Sequence, residues 1–116
     1  MKLHFSKGLY LILNNSGITV ILGGIRFKFD QAKSNLIKMN PKRGIDFYEV
    51  REIWDHPYYE DCRSDDPLQF RAIGWVKGKL YSVIYEIRED DEGDYYHLVT
   101  LWKSTKEEIK LYEKNI

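Results

Sequence analysis

The chain has 116 residues, of which 15% are aromatic, and its 18 basic side chains balance 18 acidic ones. This length supports a single domain with one hydrophobic core, and the zero net charge argues against a protein that coats nucleic acid. Cys62 is the only cysteine, which excludes an internal disulfide and a zinc site built from several thiolates. No apolar stretch is long enough for a membrane span or a signal-peptide core, so we expect a cytoplasmic protein.

Charge is unevenly distributed along the chain. Residues 1–44 hold eight Lys or Arg and one Asp, which leaves ten basic and seventeen acidic residues for 45–116, so the two parts carry +7 and −7. This asymmetry has two interpretations: two charged faces, one of them available to an anionic or protein partner, or opposite ends of one sheet that meet in the fold.

Three strands are predicted before the first helix. Leu9–Leu13 and Ile18–Leu22 are apolar runs on either side of Asn-Asn-Ser-Gly, a pattern typical of two strands joined by a turn. After two glycines, Ile25–Phe29 alternates apolar and basic residues, which indicates a half-buried strand with its cations outward.

Two helices follow. Asp30 is the predicted N-cap of the first, which has Ala32 and Leu36 one turn apart and ends before Pro41. The second begins at Asp46, whose side chain and that of Glu49 form a predicted capping box. An apolar stripe at helical spacing continues through Phe47, Val50, Ile53 and Trp54. The acidic segment Tyr58–Pro67 is predicted to be a loop.

Three more strands and a short helix complete the chain. The predicted strands are Gln69–Val76, Leu80–Arg88 and Tyr95–Trp102, with a turn at 77–79 and an acidic turn at 89–94. Ser104 and Thr105 each precede a glutamate by three residues, so either register gives a capping box. Ile109 and Tyr112 are predicted to dock this helix on the sheet.

From about Ile25 onward the chain resembles the BrnT-type toxins, which have the compact RelE-like fold. The order of one strand, two helices, three antiparallel strands and a closing helix is similar to that fold. The matching segments are Phe29–Lys33 (an aromatic residue, Asp, two residues, Lys), Asn35 and Lys38, Gly44–Phe47 (Gly-Ile-x-Phe), Arg71–Gly74 (Arg-x-Ile-Gly), the apolar strand Leu80–Tyr85, and Lys103–Lys106 with Glu108 and Tyr112.

The resemblance implies an α+β fold with a small antiparallel sheet, two N-terminal helices and a short C-terminal helix, in a single domain over 1–116. Residues 1–24 lie outside the resemblance and represent either an extra hairpin or a start codon assigned too early. The family further implies a growth-inhibiting, metal-independent endoribonuclease that needs no cofactor. A DNA-binding antitoxin of ribbon-helix-helix type would hold it inactive, in a heterotetramer.

Three side chains are candidates for the chemistry of RNA cleavage, which needs a base, an acid and cations for the phosphorane charge. Arg71 matches the family arginine and suits phosphate oxygens, and the alternative is a surface arginine paired with an acid. His97 suits acid–base catalysis or is a structural histidine. Lys103 would replace the charge of a missing arginine, or is a solvated lysine before the last helix.

Other side chains are predicted to contact RNA. Lys33, Lys38, Lys77 and Lys79 would track the phosphate backbone, with ordinary solvation as the alternative. Trp102 is the predicted aromatic contact. Trp75, Tyr85, Tyr95 and Tyr96 would stack bases or belong to the core. On a regular strand His97 and Trp102 face opposite sides, so both line one site only if a bulge intervenes.

Members of the family usually have arginines in the last strand, and this chain has His97 and Trp102 at those positions. It also has Met39 in place of a histidine and an insertion at Asn40–Arg43. Two functional hypotheses follow: an active endoribonuclease toxin, or a catalytically weakened relative that binds an antitoxin-like partner through an acidic or aromatic face. A small-molecule-binding α+β domain is a third, based only on aromatic richness.

Overall fold

The computed structural model describes residues 2–5, 9–14, 17–22 and 24–116, with side chains from residue 24 onward. The strands are β1 (Lys2–Phe5), β2 (Leu9–Asn14), β3 (Gly17–Leu22), β4 (Ile25–Phe29), β5 (Tyr59–Asp65), β6 (Leu68–Val76), β7 (Lys79–Asp90) and β8 (Gly93–Lys103). The helices are α1 (Gln31–Met39), α2 (Phe47–Val50), which continues into a 3₁₀ helix (Arg51–Asp55), and α3 (Lys106–Asn115). The α+β class is therefore confirmed.

All eight strands form one sheet in the order β1-β2-β3-β4-β8-β7-β6-β5. The prediction of a small antiparallel sheet is wrong on two counts. The sheet has more strands than expected, and β4 runs parallel to β8, with Phe27 opposite Tyr96 and Lys28 opposite His97. The reason is that α1 and α2 carry the chain across one face before β5, which leaves β4 beside the last strand. The turn predicted between β2 and β3 lies outside the described residues.

The face of the sheet under α1 and α2, called the α1/α2 face, holds the main core. Its buried side chains from the strands include Phe27, Phe29, Ala72, Val83, Tyr85, Leu98 and Leu101, and those from the helical segment include Ile37, Phe47, Val50 and Ile53. The predicted stripe of the second helix is confirmed by these positions. The opposite face, called the α3 face, has a smaller cluster of Ile73, Leu80 and Tyr112. Tyr112 and Ile109 dock α3 there, as predicted.

Capping chemistry fixes where the helices begin. The Asp30 carboxylate accepts a hydrogen bond from Lys33 N at 2.7 Å, and Asp46 and Glu49 form the predicted capping box. At α3 the N-cap is Thr105, paired with Glu108, whereas the Ser104 hydroxyl lies 2.9 Å from that of Ser82. Each cap contributes about 1 kcal/mol.

The apolar stripe of α1 faces away from the sheet. Leu36 is 69% exposed and Met39 78%, and Ala32 is also exposed. The buried residues of α1 are Ser34 and Ile37, and the Ser34 hydroxyl accepts a hydrogen bond from Phe47 N at 3.0 Å. The helix therefore packs through a side that the spacing of Ala32 and Leu36 does not predict.

The predicted loop over Tyr58–Pro67 is wrong, because Tyr59–Asp65 forms edge strand β5. It pairs with β6 on one side, and a register shift lies between Cys62 and Ser64. Many positions of this edge strand are exposed, so it tolerates the acidic side chains that are also typical of loops. The acidic turn is also shorter than predicted, since β7 runs to Asp90 and β8 begins at Gly93.

Two local features explain why β6 packs and turns as it does. Gly74 faces the 3₁₀ helix, and a Cβ there would lie 2.9 Å from Cγ2 of Ile53, so only glycine allows this approach. The following turn has positive φ at both Lys77 (49°) and Gly78 (82°), the backbone of a two-residue hairpin.

Charges from the basic and acidic parts of the chain meet across β4, β8 and β7. The Arg26 guanidinium contacts the Asp90 carboxylate at 2.7 Å, and Lys28 Nζ contacts it at 2.6 Å. These cations lower the pKa of Asp90 below its usual range. Arg26 is buried, so the expectation that both cations of β4 point into solvent is wrong for Arg26.

None of the helices in the described part of the chain has the length and apolar character that crossing a bilayer requires.

Candidate functional site

A bulge in β8 brings His97 and Trp102 to the same side of the sheet. Trp102 lies opposite Ser82 and His97 opposite Glu86, and the register shifts between Ile84 and Tyr85. Ser82 and Glu86 are four residues apart on β7 and therefore share a face. The extra residue in β8 thus places both side chains on the α3 face, which is the arrangement that a regular strand would not allow.

Arg71 lies on the same face, in a groove beside α3. This Arg71 groove has a volume of about 580 Å³ and is lined by Arg63, Arg71, Trp102, Thr105, Glu107, Glu108 and Leu111. Two of the predicted site residues, Arg71 and Trp102, therefore meet in one concave site.

The guanidinium of Arg71 is occupied by acids. Its Nε donates to Asp61 Oδ1 at 3.0 Å and its Nη2 donates to Asp61 Oδ2. Nη1 donates to Glu108 Oε2 at 3.4 Å. The side chain is only 15% exposed, and the hydrogen bonds to Asp61 raise the pKa of Arg71. Two carboxylates thus offset the positive charge that a phosphate would need.

Glu108 connects the groove to the start of α3. Its carboxylate accepts hydrogen bonds from Trp102 Nε1 at 2.8 Å and from Thr105 N at 2.9 Å. Burial alone would raise the pKa of Glu108, but these bonds, a bond from Ser82 and the charge of Arg71 lower it. The carboxylate is therefore ionised at neutral pH and serves as an acceptor rather than as a proton donor.

Arg63 supplies the exposed cation of the groove. Its guanidinium carbon lies 5.8 Å from the centre of the Trp102 ring, within the range of a cation–π contact. Sequence reasoning missed Arg63 and Asp61 because both lie in the segment predicted to be a loop. Tyr59 and Asp61 are two residues apart, and the Tyr59 hydroxyl donates a hydrogen bond to the Asp61 carboxylate at 3.1 Å. Their alternate spacing, typical of side chains on one face of a strand, was the sequence signal available for β5.

His97 lies outside the lining of the Arg71 groove. It is half-buried beside Lys28 and Glu86. Burial and the nearby charge of Arg88 lower its pKa, against the opposing effect of Glu86. The imidazole is therefore neutral at neutral pH, and no hydrogen bond of its side chain occurs among the described residues.

Lys103 lines a second groove, called the Trp75 groove, with a volume of about 380 Å³. Its lining is Trp75, Lys79, Leu80, Lys103, Ser104, Ile109 and Glu113. The structure therefore brings Lys103 together with Lys79, one of the lysines predicted to bind RNA. It separates Lys103 from Arg71 and His97, so the three catalytic candidates do not form one constellation.

The other lysines predicted to bind RNA lie on the opposite side of the molecule or at the hairpin. Lys38 and Lys77 both contact Glu49, the former at 2.5 Å. Lys33 is exposed on α1. Of the remaining predicted aromatic contacts, Tyr85 and Tyr96 belong to the core on the α1/α2 face, with ring centres 4.7 Å apart.

Comparison with known proteins adds no assignment. No protein-family model matches the sequence, and no curated protein aligns with it significantly.

Proposed function

We propose that this chain is a RelE-like protein of the BrnT type whose main activity is to bind an antitoxin-like partner protein, with little or no cleavage of RNA. The observation that carries the proposal is the contact of Arg71 with Asp61 and Glu108. A cation held by two carboxylates stabilises a phosphorane poorly, because an incoming phosphate must compete with both.

The arrangement of elements supports the RelE-like assignment. The strand β4, two helical segments, the antiparallel strands β6–β8 and the closing helix α3 occur in the expected order, with β5 as an additional edge strand before β6. The segments that carry the resemblance also lie close together, since Arg71 of β6 and Glu108 of α3 are in contact. Glycine in the Arg-x-Ile-Gly segment has a packing role, because Gly74 faces Ile53.

The outer side of α1 is the surface we assign to the partner. Leu36 and Met39 are 69% and 78% exposed, and an apolar stripe of this kind on a helix typically marks an interaction site. This surface differs from the acidic or aromatic face expected from the sequence.

The charge around α1 defines the chemistry of the partner. Residues 31–43 contain Lys33, Lys38, Lys42 and Arg43 and no acid. A partner helix with apolar residues at helical spacing and flanking carboxylates would complement both the stripe and the charge. We therefore assign an acidic amphipathic helix of the antitoxin-like protein to this surface.

Co-purification tests the partner surface. The tagged chain is expressed with the small ribbon-helix-helix protein expected from the neighbouring reading frame. The proposal predicts a stable complex that Leu36→Glu with Met39→Glu abolishes. Leu68→Glu is the control, because Leu68 is also exposed (53%) but lies on β6. Retention of the complex by the α1 double variant would disprove the assignment.

An active endoribonuclease is the second candidate, favoured by the bulge that turns His97 and Trp102 toward the face of Arg71. Induction of the chain alone, with growth and RNA integrity followed over time, separates the two functions. Arrested growth and fragmented RNA, both lost in Arg71→Ala and His97→Ala, would establish cleavage. Normal growth with intact RNA would support the proposal of partner binding.

A further inference from the structure

Within residues 24–116, one end of the α1/α2 face extends beyond the helical segment that covers the rest. Trp54, near the end of the 3₁₀ helix, packs against Tyr96 with ring centres 5.7 Å apart. Beyond this contact, Ile87 lies opposite Tyr96 in the sheet and is 47% exposed. Leu68 is 53% exposed and lies two residues from Phe70, which packs against the core of the same face. Apolar side chains of three neighbouring strands therefore meet solvent at this end.

Four carboxylates occupy the same end of the face. Asp65 lies opposite Leu68, and Glu89 lies opposite Asp94. Glu60 lies opposite a buried residue of the main core. Opposite residues share a face of a sheet, as do residues two apart on one strand, so all four acids lie on the α1/α2 face. They are exposed, and none makes an ion pair within residues 24–116. We call this surface the distal patch, which consists of Leu68, Phe70, Ile87 and Tyr96 with Glu60, Asp65, Glu89 and Asp94.

The outer side of α1 has the complementary chemistry. Leu36 and Met39 are exposed there, and Lys33 lies one turn before Leu36 on the same side of the helix. Lys42 follows in the turn after α1. Both lysines are exposed, and neither makes an ion pair in the part of the chain with described side chains. One surface is thus apolar and basic, and the distal patch is apolar and acidic.

The opposite charges of the two parts of the chain are only partly paired within one molecule. Arg26 and Lys28 contact Asp90, and Lys38 contacts Glu49. The exposed lysines around α1 and the acids of the distal patch lie outside these pairs. A second copy of the chain presents to each of these two surfaces the apolar groups and the opposite charge that it lacks.

We propose that the chain associates with a second copy of itself, with the outer side of α1 of one copy against the distal patch of the other. Leu36 and Met39 would contact Leu68 and Ile87, and the lysines would face the carboxylates. Because two different surfaces pair, the contact is heterologous. A few apolar side chains on each surface form a small interface, so the association is weak and reversible. It requires no partner protein and therefore does not depend on the proposed function, although a partner helix on α1 would compete with it.

Sedimentation velocity of the full chain alone, over a range of concentrations at low salt, tests the association. Leu36→Glu with Met39→Glu removes the α1 surface, and Glu89→Lys with Asp94→Lys reverses the charge of the distal patch. Each double variant should weaken self-association at least about tenfold, because like charges then face each other. Salt at about 1 M, which shortens the Debye length to about 3 Å, should weaken association of the wild type at least about threefold.

Mixing the two double variants distinguishes loss of a surface from loss of the fold. The α1 variant retains the distal patch and the patch variant retains α1, so the mixture should associate although neither variant does so alone. Glu107→Lys with Glu113→Lys is the matched control, because it reverses two exposed charges on α3 and should associate as wild type does.

A wild-type chain that stays monomeric up to about 1 mM would overturn the proposal and leave the distal patch to a different, basic partner. Unchanged association of the patch variant, or a mixture of the two variants that stays monomeric, would also overturn it. Co-purification with the ribbon-helix-helix protein is a separate measurement, so failure of self-association and failure of the proposed function are distinguishable.

Discussion

Asp61 lies opposite Arg71 on the neighbouring strand, and its two carboxylate oxygens accept hydrogen bonds from Nε and Nη2 of the guanidinium. This ion pair determines whether the Arg71 groove can bind a phosphate. A free arginine at this position would make the groove a site for phosphate, whereas the paired arginine makes it a closed ionic contact between β5, β6 and α3.

The substitution Asp61→Asn tests whether the pairing with Asp61 keeps Arg71 from binding phosphate. Because an amide carries no charge and offers one acceptor oxygen, the substitution should lower the free energy of unfolding by about 1–2 kcal/mol. It should also increase the affinity of the chain for single-stranded RNA, since only Glu108 then offsets the charge of Arg71. Urea denaturation and fluorescence anisotropy measure the two effects. Glu60→Gln, an exposed neighbour on β5, is the control. Equal results for the two variants would show that the pair neither stabilises β5 nor closes the groove.

Glu108→Gln should destabilise the chain by about 2 kcal/mol, as removal of a buried, charged acceptor usually does. Its carboxylate is bonded to Trp102 and Thr105 and contacts Arg71, whereas Glu107 is exposed on the same helix. Thermal unfolding of Glu108→Gln and Glu107→Gln provides a matched comparison. A lower melting temperature for Glu107→Gln than for Glu108→Gln would contradict the central role of Glu108.

The local parts of this fold could be predicted from sequence, and the non-local parts could not. The capping box of Asp46 and Glu49 depends on residues three apart, so their spacing predicts the contact. Sheet order depends on which strands meet across the chain, and β4 beside β8 has no local signal. The buried side of α1 is also set by tertiary packing, which is why Leu36 is exposed although its spacing suggests a core position.

The candidate site follows the same division. Arg71, Trp102 and Lys103 were identified by residue type and position. The contacts of Arg71 depend on Asp61, which belongs to an edge strand that the sequence analysis did not predict. The position of Trp102 depends on a bulge in β8, and no residue type in the sequence predicts that bulge. The sequence therefore predicts candidate groups, whereas the pairing that changes their chemistry requires the structure.

Stability should fall at acidic pH partly because of Glu49. Burial would raise its pKa, but hydrogen bonds from Lys38, Lys77 and Asp46 N lower it from 4.5 to about 2. The Glu49 carboxylate therefore binds a proton less readily in the folded chain than in the unfolded chain. The resulting stabilisation is present above pH 4.5 and is lost as the pH falls toward 2.

Urea denaturation of wild type and Glu49→Gln at about pH 7 and about pH 3 tests this linkage. Glutamine retains an acceptor for the capping box but does not titrate, so the variant should lose less stability on acidification than wild type. Asp91→Asn, in the exposed turn between β7 and β8, should follow wild type. A steeper loss in Glu49→Gln than in wild type would mean that the sign of the linkage is wrong.

Gly74→Ala should destabilise the fold by about 1–3 kcal/mol through overpacking, because the added methyl group would lie 2.9 Å from Cγ2 of Ile53. Ile53→Ala alone should also be destabilising, since it leaves a cavity in the core. Combining the two substitutions should cost less than the sum of the single effects, because the new methyl group occupies part of that cavity. Chemical denaturation of all four proteins in this double-mutant cycle gives the coupling directly. Strict additivity would show that Gly74 is not required for the approach of the 3₁₀ helix to β6.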